Sequence, residues 1–287
     1  MTPFSLNIRG QLREYETPVV MGIINVTPDS FFAASRVAEN IHEIAHRTAV
    51  MIEQGAEMLD LGGYSSRPGA DVVSPEEELH RIETGLKAIR SVSPDIPVSV
   101  DTFRASVARE AVQNLGADIV NDISGGDLDP DMFQTVAGLR CPYILMHMRG
   151  NPVTMQSLTD YPEGVTADVL RVLAEKVQKL SDMGVADIIL DPGFGFAKTL
   201  SQNYELLREM ETLQVLERPV LAAVSRKSMI TRLLSTKPEY ALNGTTVINT
   251  LALDRGAAIL RVHDVRPAVE AVKIYTGMLT ADGSANC

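Results

Sequence analysis

Val19-Val20-Met21-Gly22-Ile23-Ile24-Asn25 is apolar until it ends in an amide. The run is too short for a helix and lacks the alternation of a strand with one wet face. It reads as a parallel strand buried on both sides. Seven more such runs follow, at residues 58–63, 97–102, 117–123, 141–147, 187–193, 219–225 and 257–264. A helix-like stretch fills each gap. Residues 76–89 form one, with Ser74 placed as its cap and Pro75 at its first position.

The joints repeat as well. Gly55, Gly116, Gly184 and Gly256 each stand between a helical pattern and the next apolar run, where a left-handed glycine stops a helix. Eight β-then-α units in unbroken succession predict an α/β fold, a single (β/α)8 TIM barrel. An open doubly wound sheet would carry a glycine-rich phosphate loop after its first strand; here that strand runs into Asn25-Val26-Thr27-Pro28-Asp29. Residues 1–18 alternate polar and apolar positions around a turn within residues 7–10, and read as a β-hairpin closing the barrel bottom. The expected organisation is hairpin 1–18, barrel 19–280 and a flexible tail 281–287.

Composition narrows the function classes. Of 287 residues, 45% are hydrophobic and 22% charged, enough for one large core. The net charge of −11 argues against nucleic-acid binding. It permits an anionic substrate, because local cations can reverse the field inside a cleft. Cys141 and Cys287 are the two cysteines, and a bridge between a strand-like run and the last residue is a poor pairing, so both read as reduced thiols. No stretch is apolar for long enough to span a membrane. A cytoplasmic enzyme is expected.

Barrel enzymes place their chemistry at the C-terminal strand ends. Those ends carry Asn25, Ser66 with Arg67, Asp101, Asn121 with Asp122, Met146-His147-Met148, Asp191, Ser225-Arg226-Lys227-Ser228, and Arg261-Val262-His263-Asp264. Any one of these alone reads equally well as an ordinary strand-end polar residue, and Asp122, Ser225 and Asp264 suit structural roles. Taken together, the carboxylates, amides and cations form a chemically legible pocket.

Five motifs then resemble one family. They are Met21-Gly22-Ile23-Ile24-Asn25-Val26-Thr27-Pro28-Asp29-Ser30-Phe31, Leu61-Gly62-Gly63-Tyr64-Ser65-Ser66-Arg67-Pro68-Gly69-Ala70, Asp191-Pro192-Gly193-Phe194-Gly195-Phe196, Ser225-Arg226-Lys227-Ser228 and Arg261-Val262-His263-Asp264-Val265. In order and spacing they are similar to the signatures of the bacterial dihydropteroate synthases. The resemblance implies a cytoplasmic transferase of folate biosynthesis, a sulfonamide target, that condenses 6-hydroxymethyl-7,8-dihydropterin diphosphate with p-aminobenzoate. It implies that Asp191, Asn121 and Lys227 meet the pterin edge and that Asp101 faces the ring where positive charge develops. Arg261 and Met146 would flank the ring. Asp101, Lys227 and Arg261 would be the catalytic residues. Ser66, Arg67 and His263 would take the diphosphate, and Asn25 would hold Mg2+ with it. Phe31, Pro68, Phe196 and Ser228 would receive p-aminobenzoate, Phe31 as a lid. A homodimer built on the last helices is implied too.

The chain departs from the family at Phe32-Ala33-Ala34-Ser35-Arg36, where Asp-Gly-Gly is usual, and at Tyr64 and Ser66, where the family has glutamate and threonine. These changes bear on the two loops over p-aminobenzoate. The rival readings are the pterin-binding barrel of a methyltetrahydrofolate methyltransferase, which has no use for a diphosphate site, and a pterin-binding barrel without catalysis.

Overall fold

The computed structural model describes residues 3–26, 41–64 and 73–281. Phe31, Ser66, Arg67 and Pro68, the Ala33-Ala34 stretch and the tail from 282 lie outside the described residues.

The chain opens with β1 (Phe4–Ile8) and β2 (Gln11–Tyr15), paired antiparallel with Ile8 opposite Gln11. Only Arg9 and Gly10 make the turn, both at positive φ (53° and 80°). That geometry matches the twist of a tight hairpin. The barrel follows: β3 (Val19–Asn25), β4 (Met58–Gly62), β5 (Val98–Asp101), β6 (Ile119–Asp122), β7 (Tyr143–Met146), β8 (Ile188–Asp191), β9 (Val220–Ala222) and β10 (Ala257–Val262). All neighbours pair parallel, and β10 closes on β3. The helices between them are α1 (Ile41–Glu53), α2 (Pro75–Val92), α3 (Ala105–Gln113), α4 (Met132–Leu139), α5 (Val165–Asp182), α6 (Leu200–Arg208), α7 (Ser228–Leu233) and α8 (Leu242–Asp254); α9 (Val265–Thr280) follows β10. None of the described helices is long and apolar enough to cross a membrane.

The eight-fold reading of the sequence holds, and local signals act as expected. Ser74 Oγ accepts the Glu77 N–H at 3.2 Å to cap α2, and Gly55 stands at φ +99° behind α1. β3 fills its whole apolar run, and the other strands are shorter than theirs. The run 219–225 yields only the three residues of β9, and the chain then turns over residues 224–227, where Arg226 takes φ +57° and the Lys227 N–H donates to Val224 O.

Two apolar layers follow from the pleat. Outward residues such as Leu59, Leu61, Val98, Val100 and Leu260 pack under the helices. Inward residues Met21, Met58, Ile119, Ile144, Ile189, Leu221 and Ile259 form a second core, together with Leu6, Ile8 and Tyr15 of the hairpin. The hairpin thus seals the end opposite the mouth. Its polar ties agree: the Asn7 N–H donates to Asp187, and Arg13 to Asp95 O. Arg9 pairs with the buried Asp118, which also accepts from Arg90 at 2.6 Å and the Val98 N–H at 2.8 Å. A buried carboxylate needs that many donors.

Candidate active site

At the other end the strands deliver polar side chains where their pairing stops. Asp191 closes β8 beside Met146 of β7 in the register, and Asp101 closes β5 beside Asn121 of β6. Asp191 is 4% exposed, and its Oδ1 accepts the Gly193 N–H at 2.7 Å. Burial raises its pKa above the usual carboxylate range, against the pull of Lys227. Lys227 Nζ donates to Phe194 O at 2.6 Å and lies 4.9 Å from the centre of the Phe196 ring. Burial pushes its ammonium down to about 8, with Asp191 opposing.

The centre of the mouth is an ion-paired cluster. Arg261 Nε donates to Asp60 Oδ2 at 2.7 Å, Nη2 donates to Asp101 Oδ2 at 2.8 Å, and Nη2 also pairs with Asp60. Burial works against the guanidinium charge, but Asp60 and Asp101 outweigh it and hold its pKa above the ordinary range. Asn121 Nδ2 donates to Asp60 Oδ1 at 3.1 Å. The carboxylate can only accept there, so the amide is oriented with its oxygen turned away from Asp60. Burial lifts the Asp101 carboxyl to about 7, while Arg261 draws it down and Asp60 pushes it up.

Asp60 is the residue that sequence reasoning missed. It is fully buried in β4 between Leu59 and Leu61, and it read as part of an apolar run. The signal was there: a carboxylate on a strand buried on both faces demands a cation, and Arg261 supplies it.

At β9 and β10, Ser225 Oγ accepts the His263 backbone N–H at 3.2 Å and lies 3.0 Å from His263 Nδ1. Burial, reinforced by the Arg261 and Arg226 charges, pushes His263 down to about 3, so the imidazole is neutral. Beside it opens a cavity of about 250 Å3, lined by Arg47, Gln54, His263 and Asp264 among others. Arg226 forms a two-pronged pair with Asp264 at 2.8 Å and reaches Pro238 O, so this motif cation ties loops together. Asp122 is likewise structural, accepting from Ser124, the Gly126 N–H and Tyr143.

The other described candidates are Met146, Phe196, Ser228 and Asn25. Met146 packs with Ile123, Met148 and Met155 in an apolar wall that Phe196 and Phe103 border. Ser228 is exposed at the first residue of α7. Asn25, partly exposed at the end of β3, lies against Gly62, where an added Cβ would sit 3.0 Å from Asn25 Oδ1. Tyr64 sits edge-on to Phe103 at 5.2 Å, with Arg104 5.3 Å from its ring centre. Arg104 in turn pairs with the buried Glu78 and donates to Val73 O. The departure at Tyr64 is therefore a packed aromatic–cation seat.

A sequence model of the family described as pterin binding enzyme matches residues 21–263. The chain is 43% identical to the dihydropteroate synthase of Synechocystis sp. over 89% of its own length and 88% of the relative's. It is 40% identical to that of Escherichia coli K12 over 95% and 96%. Among solved structures, a Yersinia pestis dihydropteroate synthase in a sulfonamide drug complex superposes with a TM-score of 0.91 at 37% identity, covering 97% of this chain and all of that one. A Xanthomonas albilineans dihydropteroate synthase with 4-aminobenzoic acid gives 0.87 at 36% identity, covering 98% and 100%. The chain belongs to the pterin-binding enzyme family and, within it, to the dihydropteroate synthases.

Proposed function

We propose that the barrel mouth joins 6-hydroxymethyl-7,8-dihydropterin diphosphate to p-aminobenzoate, giving 7,8-dihydropteroate and pyrophosphate. The observation that carries the reading is a buried carboxylate, Asp191, whose charge and that of Lys227 on the loop after β9 favour each other, in a mouth that also holds an oriented Asn121. The pterin edge presents a ring N–H next to an amine, and a carboxylate accepts both in a fork. The free amide oxygen of Asn121 suits the donors beside them, and Lys227 suits the ring carbonyl. Arg261, held flat by Asp60 and Asp101, offers its guanidinium plane to the pterin. Met146 supplies an apolar wall.

The diphosphate falls to Arg67, Ser66 and the His263 ring, with Arg47 beside the cavity. Asn25 fits a supporting role toward Mg2+. No group of three His, Cys, Asp or Glu among the described residues can hold a metal. Asn25 would offer one neutral amide oxygen, which suits an ion carried mainly by substrate oxygens and water. Mg2+ bound there would offset diphosphate charge and improve the leaving group.

In the reaction the bond from the exocyclic methylene to the diphosphate oxygen breaks, and the aniline nitrogen bonds to that carbon and loses a proton. Asp101 would stabilise positive charge spreading over the dihydropterin. The aniline is already nucleophilic and needs orientation, which Phe196, Pro68, Ser228 and the Phe31 lid provide. Sulfonamides, which share its shape, compete for this place. The deciding assay follows pyrophosphate release with and without p-aminobenzoate. Fast release is expected only with both substrates and Mg2+. No release from any mixture would overturn the reading.

We also propose a cytoplasmic homodimer. Val247 and Leu251 of α8 and Ile274, Met278 and Leu279 of α9 are exposed apolar side chains on two helices that pack together, more than a lone surface residue would explain. Sedimentation at micromolar concentration should show a dimer, and a monomer there would refute it.

A further inference from the structure

Lys198 lies in the loop after β8, is 4% exposed, and has no part in the roles above. Its ammonium has three N–H bonds and three acceptors in reach: Gly193 O at 2.9 Å, Phe196 O at 3.0 Å and His147 Nδ1 at 3.1 Å. A buried cation is tolerated when all its donors are used. Burial draws its pKa down to about 7 and Asp191 draws it back up. His147 offers Nδ1 as the acceptor, so its own N–H is on Nε2, 3.4 Å from Asp168 Oδ2. Arg149 and Arg171 fix Asp168, each at 2.8 Å. The ammonium is therefore held from behind by a chain of side chains that reaches the surface.

The other side of the same loop faces the mouth. The Gly193 N–H holds Asp191, Phe194 O holds Lys227, and the Phe196 ring borders the Lys227 ammonium. The two carbonyls gripped by Lys198 belong to Gly193 and Phe196, the ends of this turn. There is no slack at Gly193: it stands at φ +72°, and an added Cβ would lie 2.0 Å from His147 O. The turn is also tied by Tyr161 to Ala197 O and by the Gly195 N–H to Asn203. Losing the Lys198 contacts should thus shift the turn and leave the barrel folded.

We propose that Lys198 is a positioning residue of the reaction site. By gripping Gly193 O and Phe196 O it sets the turn that places Asp191, Lys227 and the Phe196 ring together, and so serves both substrates while touching neither. The inference rests on the function proposed above.

The test is Lys198→Met in the full chain, which keeps the stem and removes the ammonium. Steady-state kinetics for both substrates are to be read beside calorimetric binding of 6-hydroxymethylpterin. A displaced turn should lower kcat/KM about 100-fold, raise the KM for p-aminobenzoate, and weaken pterin binding about tenfold. A kcat that falls only with the folded fraction, with KM and pterin affinity unchanged, would make Lys198 a structural pin and overturn the proposal. If this variant does not fold, His147→Leu and His147→Gln decide. Glutamine still offers an oxygen to the ammonium and should stay within about threefold of the parent, whereas leucine should lose p-aminobenzoate affinity. Equal behaviour of the two would overturn the proposal. A parent that binds the pterin and releases no pyrophosphate would sink the functional reading alone, and the effect on pterin affinity would still judge Lys198.

Discussion

Asp191→Asn is expected to remove most of the activity, lowering kcat/KM for the pterin substrate by about 2–5 kcal/mol. The carboxylate is 4% exposed and accepts from the Gly193 N–H through one oxygen, which leaves its remaining lone pairs for the two donors of the pterin edge. An asparagine keeps an oxygen for Gly193 but sets its NH2 against a donor. A charge-assisted fork is lost and a buried N–H is left without an acceptor. Lys227, whose charge Asp191 supports, also loses its counter-ion. Because the Gly193 bond survives, thermal unfolding should stay near that of the parent, so the loss appears in kinetics and pterin binding. Both kinetic constants within about threefold of the parent, a difference of well under 1 kcal/mol, would separate Asp191 from the pterin edge.

The barrel was legible because buried parallel strands leave little choice: both faces are apolar, so the runs are continuous and countable. Ser74, Pro75 and the joint glycines did the rest through local rules that do not depend on distant partners. Strand ends such as Asp101, Asn121 and Asp191 were legible for the same reason, since a polar residue closing an apolar run marks the mouth. Partners were not. Arg226 stands in a motif and still pairs with Asp264, 38 residues on. Lys198 binds two backbone carbonyls, which leave no trace in side-chain identity. Asp60 was hidden by its neighbours Leu59 and Leu61, and only its charge gave it away. Sequence pattern reports the environment of a residue; pairing depends on the closure that brings β4 and β5 opposite β10.

That pairing makes the second large effect. Asp60→Ala is expected to cost about 3–5 kcal/mol of stability, the usual consequence of stripping one partner from a buried ion pair. Asp60 accepts two donors of Arg261 and one of Asn121 with no exposure to water. Without it, Arg261 keeps only Asp101, which is itself partly exposed. The guanidinium can then swing toward Asp101 and off the plane it offers to the pterin, and Asn121 can flip, which exchanges its acceptor for a donor. Stability and pterin affinity should therefore fall together. Asp60→Asn separates the two causes. Its amide oxygen can still accept from Arg261, so part of the stability should return, but its NH2 meets the Asn121 donor, so the amide stays misoriented and pterin affinity stays low. Denaturation midpoints and calorimetric pterin binding, measured on both variants, are the check. An Asp60→Ala protein with the parent's midpoint would show that water replaces the carboxylate at no cost. Full pterin affinity in Asp60→Asn would show that Asn121 does not read the pterin edge.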